Sequence, residues 1–231
     1  TISGPTSVCS GGNVTLDAGS GFSTYAWSNS GGSNQTATFS GITTTTTYSV
    51  TVTDANNCSG SDTHTVSVNA NPAPAITGPT SVCSGGNVTL DAGSGYSTYA
   101  WSNSGGSSQT ATFTNITTST TYSVTVTDAN NCSGSNTHTV SVNANPTPAI
   151  TGPTSVCSGG NVTLDAGSGY STYAWSNSGG SSQTAMFSGI TTTTTYSVTV
   201  TDANNCSGSD THTVTVNANP TPAITGPTSV C

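Results

Sequence analysis

Apolar and polar residues alternate with a period of two along most of this 231-residue chain, and no segment shows the 3.6-residue period of an amphipathic helix. Glycine, asparagine and aspartate separate the alternating runs and supply turn conformations. In the first part of the chain the predicted strands are 2–8, 13–18, 24–29, 35–39, 47–54 and 63–69. The pattern therefore predicts an all-β fold.

The same pattern recurs every 74 residues, and the second and third copies differ at only six positions. We predict three repeats over 1–72, 75–146 and 149–220, followed by 221–231 as the first strand of a fourth repeat or as a strand that completes the third. The proline-containing segment 69–74 is predicted to be a short, semi-extended linker, since proline restricts φ and removes an amide donor. Repetition of this kind favours an architectural role, because each copy adds length and valency.

The inward face of each predicted strand collects the larger apolar side chains. We predict that the core contains one tryptophan and one tyrosine from each repeat: Trp27, Trp101, Trp175, Tyr48, Tyr122 and Tyr196. About seven short strands, with a buried tryptophan in the third and a tyrosine opening the penultimate one, are typical of an immunoglobulin-like sandwich. The predicted fold class is thus all-β, with tandem immunoglobulin-like β-sandwich repeats of 74 residues in an extended array.

Two cysteine positions recur in each repeat, and we predict that they form disulfides: Cys9, Cys58, Cys83, Cys132, Cys157, Cys206 and Cys231. The simplest pairing, Cys9 with Cys58, stays within one repeat and is worth roughly 4 kcal/mol by the chain-entropy estimate. In an immunoglobulin-like sandwich, however, these two positions lie at opposite ends, whereas bridged Cα atoms must lie within about 7 Å.

Two other pairings avoid this conflict. Cys58 reaches Cys83 if 76–82 folds back along 63–69 and completes the preceding unit. Cys9 reaches Cys132 if consecutive units stack end to end. Spacing alone does not choose among the three schemes.

The charge of the chain excludes several classes of function. It contains no lysine or arginine and has a formal net charge of −8. A surface without cations cannot displace the counterions of nucleic acid, and it is repelled by anionic membranes. No stretch is apolar enough to insert directly into a membrane. Regularly spaced cysteines indicate an oxidising, extracellular location.

The aspartate and asparagine residues of one recurring turn offer oxygen ligands suited to calcium. They are Asp54, Asn56, Asp128, Asn130, Asp202 and Asn204. The alternative is that they only form the turn, which favours the same residue types. No cofactor is predicted, and no nucleophile elbow or triad pattern is visible, so the chain is not predicted to be an enzyme.

Two further features suit binding sites but also have plain structural explanations. His64 lies two positions after Asp62, and this pair suits a metal or a titrating site; a half-buried histidine in a strand is the simpler interpretation. An aromatic platform for sugars could be formed by Tyr25, Trp27, Tyr96 and Tyr99, but the alternation places Trp27 on the inward face and favours core packing. Phe22 and its counterparts Tyr96 and Tyr170, in glycine-rich loops, are better candidates for exposure.

The runs GPTSVCSGGNVTLDA, YAWS and TTTTTYSVTVTDANNCSGS resemble the Ig-like and PKD-like repeats of very large secreted surface proteins of Bacteroidetes-type bacteria, including gliding-motility adhesins. The resemblance covers essentially the whole chain, repeat by repeat. It implies a cell-surface or extracellular location and a structural or adhesive role.

On this basis we predict a stalk or filament segment of an extracellular bacterial adhesin or fibre. Its partners would be neighbouring repeats, copies of itself in a fibre, or surface glycans. The alternative is a carbohydrate-binding or spacer module of a secreted polysaccharide hydrolase.

Overall fold

The structure is a computed structural model that describes residues 1–226. Each period of the sequence forms six strands joined by turns. In the first repeat they are β1 (Ser7–Cys9), β2 (Gly12–Asp17), β3 (Thr24–Trp27), β4 (Thr36–Ile42), β5 (Thr46–Thr53) and β6 (Ser59–Asn69). The predicted strands are therefore present, with ends that differ by a few residues, and the fold class is confirmed.

The same six strands recur in the next two periods. The second repeat contains β7 (Ser81–Cys83), β8 (Gly86–Asp91), β9 (Thr98–Trp101), β10 (Thr110–Ile116), β11 (Thr120–Thr127) and β12 (Ser133–Asn143). The third contains β13 (Ser155–Cys157), β14 (Gly160–Asp165), β15 (Thr172–Trp175), β16 (Thr184–Ile190), β17 (Thr194–Thr201) and β18 (Ser207–Asn217). Among the described residues, no helix is long and apolar enough to cross a membrane.

Each repeat is built from a four-stranded sheet and a two-stranded sheet. In the first repeat the strand orders are β1-β6-β5-β3 and β2-β4. Strand β1 runs parallel to β6, with Cys9 opposite Asn69, while the other pairs are antiparallel. Just before β1, Ser3 forms a bridge with Asp17 at the end of β2. The first segment of the repeat therefore changes from one sheet to the other.

Gly4 makes this change of sheet possible. Its φ is 146°, and a Cβ at this position would lie 2.6 Å from a methyl carbon of Leu16 and 2.9 Å from the carbonyl oxygen of Thr15. A side chain would therefore collide with β2, so the close approach of the two segments requires glycine.

The core of the first repeat lies between its two sheets. Trp27, Phe39 and Tyr48 are buried around Leu16 and Val66, both of which are fully buried. The Phe39 ring lies 3.9 Å from the Tyr48 ring and meets Trp27 edge-on at 6.2 Å. The Trp27 indole also donates a hydrogen bond to the carbonyl oxygen of Asn34 at 2.9 Å. The corresponding tryptophans and tyrosines of the other repeats are likewise buried: Trp101, Trp175, Tyr122 and Tyr196.

The structure contradicts the idea that the first strand of one repeat completes the preceding one. Strand β7 pairs with β12 of its own repeat, with Cys83 opposite Asn143, and Thr77 forms a bridge with Asp91. The strand predicted over 221–231 includes residues outside those described, and 221–226 form no regular element.

The contacts within the chain define two units whose limits differ from those of the sequence repeats. The first comprises Thr1–Thr80, Val88–Phe113 and Thr120–Val140. The second comprises Ser81–Asn87, Thr114–Ser119 and the chain from Ser141 onward. The first unit thus contains the junction between the first and second repeats, and the second unit contains the next junction.

Candidate functional site

The two disulfides of the structure join consecutive repeats. Cys9 is bonded to Cys132 and Cys83 to Cys206, each pair 123 residues apart, with Cα atoms 5.4 Å apart in both. Among the described residues Cys58 and Cys157 are free and exposed, and Cys231 lies outside the described residues. The cysteines therefore belong to a junction between repeats, and we treat this junction as the candidate functional site.

Sheet topology explains why the pairing within a repeat is wrong. Cys9 ends β1 opposite Asn69, the last residue of β6, whereas Cys58 directly precedes β6. An 11-residue strand spans roughly 35 Å, far beyond the reach of a disulfide. The Cys58–Cys83 pairing is also wrong, because β7 lies beside β12 of its own repeat, and Cys83 is bonded to Cys206. The structure has the third arrangement, from Cys9 to Cys132.

The linker between repeats packs against the last hairpin of the following repeat. A Cβ at Gly134 would overlap the carbonyl oxygen of Pro72, and a Cβ at Gly208 would overlap that of Pro146. The side-chain amide of Asn136 donates a hydrogen bond to the carbonyl oxygen of Pro74 at 2.8 Å. We call 70–74, 144–148 and 218–222 the linkers.

We call the surface that receives a linker the acceptor site. In the second repeat it comprises Val126, Cys132 and Gly134, and in the third it comprises Val200, Cys206 and Gly208. In the first repeat it comprises Val52, Cys58 and Gly60.

Each linker is also fixed to the repeat that precedes it. The Asn71 side-chain amide donates to the carbonyl oxygen of Ser10 at 3.0 Å, next to Cys9, and the Ser10 amide donates to the carbonyl oxygen of Asn69 at 2.8 Å. Asn145 makes the corresponding bond to Ser84 at 3.1 Å. These bonds hold the linker beside the cysteine of its own repeat, so both reach the next repeat together.

Burial distinguishes acceptor sites that hold a linker from the one that does not. Cys132 and Cys206 are fully buried, whereas Cys58 is exposed. Val126 and Val200 are fully buried, but Val52 is only partly so. These positions have the same sequence context in each repeat, so the linker and the disulfide account for the difference.

The linkers show the matching behaviour. Pro74 and Pro148 are buried, whereas Pro222 at the same position of the last linker is exposed. The junction is thus a contact in which the prolines of one repeat and the valine and cysteine of the next are removed from water together. Burial of apolar surface of this kind stabilises a contact by about 25 cal/mol per Å².

Asp62 and His64 attach the first segment of the repeat to β6. The Ile2 amide donates to Asp62 Oδ2 at 2.8 Å, and this bond, with one from the Thr63 amide, lowers the pKa of the Asp62 carboxyl below its ordinary value. The His64 side chain is half-buried and lies 3.0 Å from the carbonyl oxygen of Pro5. In the third repeat Asp210 binds the Ile150 amide in the same way at 2.8 Å. The pair therefore has a structural role in positioning the first strand.

The predicted calcium ligands lie at the turn before the acceptor cysteine. Asp54 Oδ1 accepts hydrogen bonds from the amides of Asn56 at 2.8 Å and Cys58 at 2.9 Å, and Asn57 has a φ of 64°. Asp128 and Asp202 make the same pair of bonds in the other repeats. These bonds account for the turn and fix the acceptor cysteine, while calcium at these residues stays a prediction. No group of three histidine, cysteine or acidic side chains suited to a metal occurs among residues 1–226.

The tryptophans belong to the core and not to an exposed stacking surface. The tryptophan predicted as core is buried, with 8% of its surface exposed in each repeat. Phe22 is exposed at 39%, while Tyr96 and Tyr170 are half-buried. An open polar groove of about 410 Å³ includes Asn29, Thr38 and Thr46, but the rings beside it, Phe39 and Tyr48, are core residues.

The glycines of the acceptor site were not predicted from the sequence. Gly60, Gly134 and Gly208 lie within strands β6, β12 and β18, where glycine is unfavourable and marks a close approach of another backbone. That signal is present in the sequence. The approaching segment, however, is the linker of another repeat, which the sequence alone does not identify.

Comparison with known proteins supports the repeat architecture. Residues 69–142 match the model of the PKD-like domain family. No curated protein matches the chain significantly.

Several solved structures are similar to the chain. The I67–I69 fragment of the titin I-band has 12% identity and a TM-score of 0.40, with 95% of this chain and 99% of that chain covered. A calcium-stabilised adhesin that helps an Antarctic bacterium bind ice has 16% identity and a TM-score of 0.40, with 96% of this chain and 75% of that chain covered. The Bacteroides ovatus protein SGBP-B, solved with a mixed-linkage heptasaccharide, has 12% identity and a TM-score of 0.24, with coverages of 93% and 66%.

The segment that matches the PKD-like domain model is one full period of the sequence, and the neighbouring periods repeat it almost unchanged. All three periods form the same two-sheet arrangement. The chain is therefore a tandem array of β-sandwich repeats, and one full period of it matches the PKD-like domain family.

Proposed function

We propose that this chain is a load-bearing structural segment, a stalk or filament, of an extracellular bacterial surface adhesin or fibre. The observation that carries the proposal is the pairing of Cys9 with Cys132 and of Cys83 with Cys206. Because both disulfides join different repeats, neither of them cross-links a single sandwich. It serves instead to join consecutive repeats.

The two bridges overlap along the chain, and this limits how far it can be extended. The first ends at Cys132, beyond Cys83, where the second begins. The shortest covalent path from Thr1 to Cys231 runs through both bridges and contains about 85 residues, or roughly 300 Å when fully extended. Without the bridges all 231 residues extend to roughly 800 Å.

The same chemistry supports the proposed extracellular location. Disulfides persist in oxidising compartments, outside the cytoplasm. Threonine and serine side chains cover much of the outer face of the sheets, where cross-strand hydroxyl pairs such as Thr47 with Thr65 lie 2.8 Å apart. The chain contains no lysine or arginine for trypsin-like proteases to recognise. These features suit a protein that is exposed outside the cell.

Single-molecule force extension tests the proposal. The oxidised chain, held at its two ends, should reach only the contour of the shortest covalent path. The Cys9→Ser, Cys83→Ser double variant should reach the contour of the whole chain. The variant Cys58→Ser, Cys157→Ser serves as the matched control, because it removes two cysteines but neither bridge. Full extension of the oxidised wild-type chain would contradict a load-bearing role for the disulfides.

A further inference from the structure

Strand β4 of the first repeat has one free edge. Among residues 1–226 it pairs only with β2. Asp17 of β2 exchanges backbone hydrogen bonds with Ser3 at 2.8 and 2.9 Å, so its backbone groups point away from β4. Opposite residues of an antiparallel pair that do not bond each other both point outward. Thr36 lies opposite Asp17, and Thr38 follows two positions later, so the amides and carbonyls of both point away from β2.

The same edge recurs in the other repeats. In the third repeat β16 pairs with β14, and Asp165 exchanges backbone bonds with Thr151 at 2.8 and 2.9 Å. Thr184 lies opposite Asp165 and Met186 follows two positions later. In the second repeat β10 pairs with β8, and Thr112 has the corresponding position. We call the outer side of β4, β10 and β16 the free edge.

The free edge lacks the features that normally prevent strands from pairing between molecules. Natural edge strands are blunted by short length, charge or proline. The strands at the two ends of the four-stranded sheet, β1 and β3, have only three and four residues, whereas β4 and β16 have seven. Neither β4 nor β16 contains a charged residue or a proline. Thr36 and Thr38 are exposed, and Met186 is exposed at 69%.

An open groove borders the second half of β4. Its volume is about 410 Å³, and Asn29, Ser30, Thr38 and Thr43 contribute to its lining. The third repeat has a groove of about 390 Å³ at the corresponding positions. The grooves leave space beside the free edge for an additional strand.

The distribution of charge favours a second copy of this chain as the partner. The only acidic or basic side chains of the chain are eight acidic ones, and its formal net charge is −8. None of the eight lies in β4, β10 or β16 or lines the two grooves. Copies of an acidic chain repel each other where their charges meet, so a contact between copies requires a surface free of charge. The free edge meets this requirement in each repeat.

We propose that the free edge of one copy pairs with the free edge of a second copy, antiparallel and about a two-fold axis. A strand edge suits such a contact because it presents the same amides and carbonyls on both sides of the axis. The amides and carbonyls of Thr36 and Thr38 bond the second copy, and two two-stranded sheets become one four-stranded sheet. This inference goes beyond the proposed function, which concerns load along one chain, and it requires no cysteine.

Sedimentation velocity of the full-length chain at increasing concentration tests the inference. All proteins carry Cys58→Ser, Cys157→Ser and Cys231→Ser, so that thiols cannot link the copies. The parent should associate reversibly, and more strongly at high salt, because salt screens the repulsion between acidic copies. A parent that stays monomeric at every concentration and salt would overturn the inference.

Added charge locates the contact. The variant with Thr38→Asp, Thr112→Asp and Met186→Asp should associate at least about tenfold more weakly, because like charges then meet at the free edge. The control carries Thr65→Asp, Thr139→Asp and Thr213→Asp, which add the same charge to exposed positions of the other sheet. The control should associate nearly as well as the parent. Equal weakening in both variants would show that only net charge matters and would overturn the inference.

Hydrogen exchange measured by nuclear magnetic resonance tests the backbone pairing. The amides of Thr36 and Thr38 should exchange at least about tenfold more slowly in the associated state, because they then donate to the second copy. A Thr38→Met, Thr112→Met variant keeps these amides and matches the residue at Met186, so it should still associate. Association without slower exchange at Thr36 and Thr38 would place the contact elsewhere and overturn the inference. The force measurement uses single chains, so the two proposals fail separately.

Discussion

Gly134 lies directly against the carbonyl oxygen of Pro72, and no side chain fits between them. The first repeat offers a matched position, since Gly60 has the same place in its strand but nothing within 4 Å. The junction between repeats therefore depends on a glycine in a strand, where glycine otherwise brings no advantage.

We expect Gly134→Ala to destabilise the junction by about 1–3 kcal/mol, the usual cost of overpacking. Gly60→Ala should be neutral or slightly stabilising, because alanine lowers the entropy of the unfolded chain. Thermal unfolding monitored by calorimetry compares the two. Equal losses in both variants would show that the linker does not lie against Gly134 in solution.

Reduction of the disulfides should leave the individual sandwiches folded. Each core consists of apolar side chains such as Leu16, Phe39 and Val66 and contains no bridge within the repeat. In a reducing buffer at 25 °C, far-ultraviolet circular dichroism should keep its β-sheet signal, while the melting temperature falls. Loss of the β-sheet signal on reduction would indicate that the bridges are required for the fold of a single repeat.

Acid should destabilise the chain through a recurring aspartate at the end of the second strand of each repeat. Gln109 donates to Asp91 at 2.9 Å, and the Gly93 amide donates at 2.8 Å. Both bonds lower the pKa of the Asp91 carboxyl, and the bond from Gln109 has the larger effect. The pKa values of Asp17 and Asp165 are lowered in the same way.

Because the pKa of Asp91 is lower in the folded state, its carboxylate stabilises the folded chain above the unfolded-state pKa of about 3.9. This stabilisation is lost as the pH falls through the folded-state pKa. The melting temperature should therefore decrease as the pH falls below about 4. The melting temperature of the Asp91→Asn variant should decrease less steeply with falling pH, since asparagine does not titrate. Identical pH dependence in the variant and the wild type would assign the acid effect to other groups.

Calcium should leave the stability unchanged if hydrogen bonds alone maintain the turn at Asp128. Asp128 Oδ1 already accepts two amide hydrogen bonds, both at 2.9 Å. We expect the same melting temperature in excess calcium and in a chelator. A rise with calcium that Asp128→Asn, Asp202→Asn removes would establish the site predicted from the sequence.

Much of the fold could be predicted because it depends on local patterns. Alternation placed Trp27 and Tyr48 on the inward face, and both are buried. Glycine and asparagine marked the turns, and Asn57 and Gly11 do have positive φ. The strand faces and the turns depend on residues close in sequence, so the sequence of one repeat is enough to predict them.

The partner of each cysteine depended on the tertiary structure. Identical repeats contain identical spacings, so the sequence cannot tell whether Cys9 belongs with Cys58, with Cys132 or with neither. The parallel pairing of β1 with β6 placed Cys9 at the far end of the sandwich from Cys58. Packing of the linker against Gly134 then brings the next repeat close to Cys9.

The sequence by itself determined the strands, the core and the period of this protein, because period-two alternation and turn residues act over a few positions. Only the tertiary structure decided that the disulfides join repeats and that 70–74 forms part of the contact. The reason is physical: a disulfide requires two Cα atoms within about 7 Å, and residues 123 positions apart reach that distance only when two folded repeats are packed together.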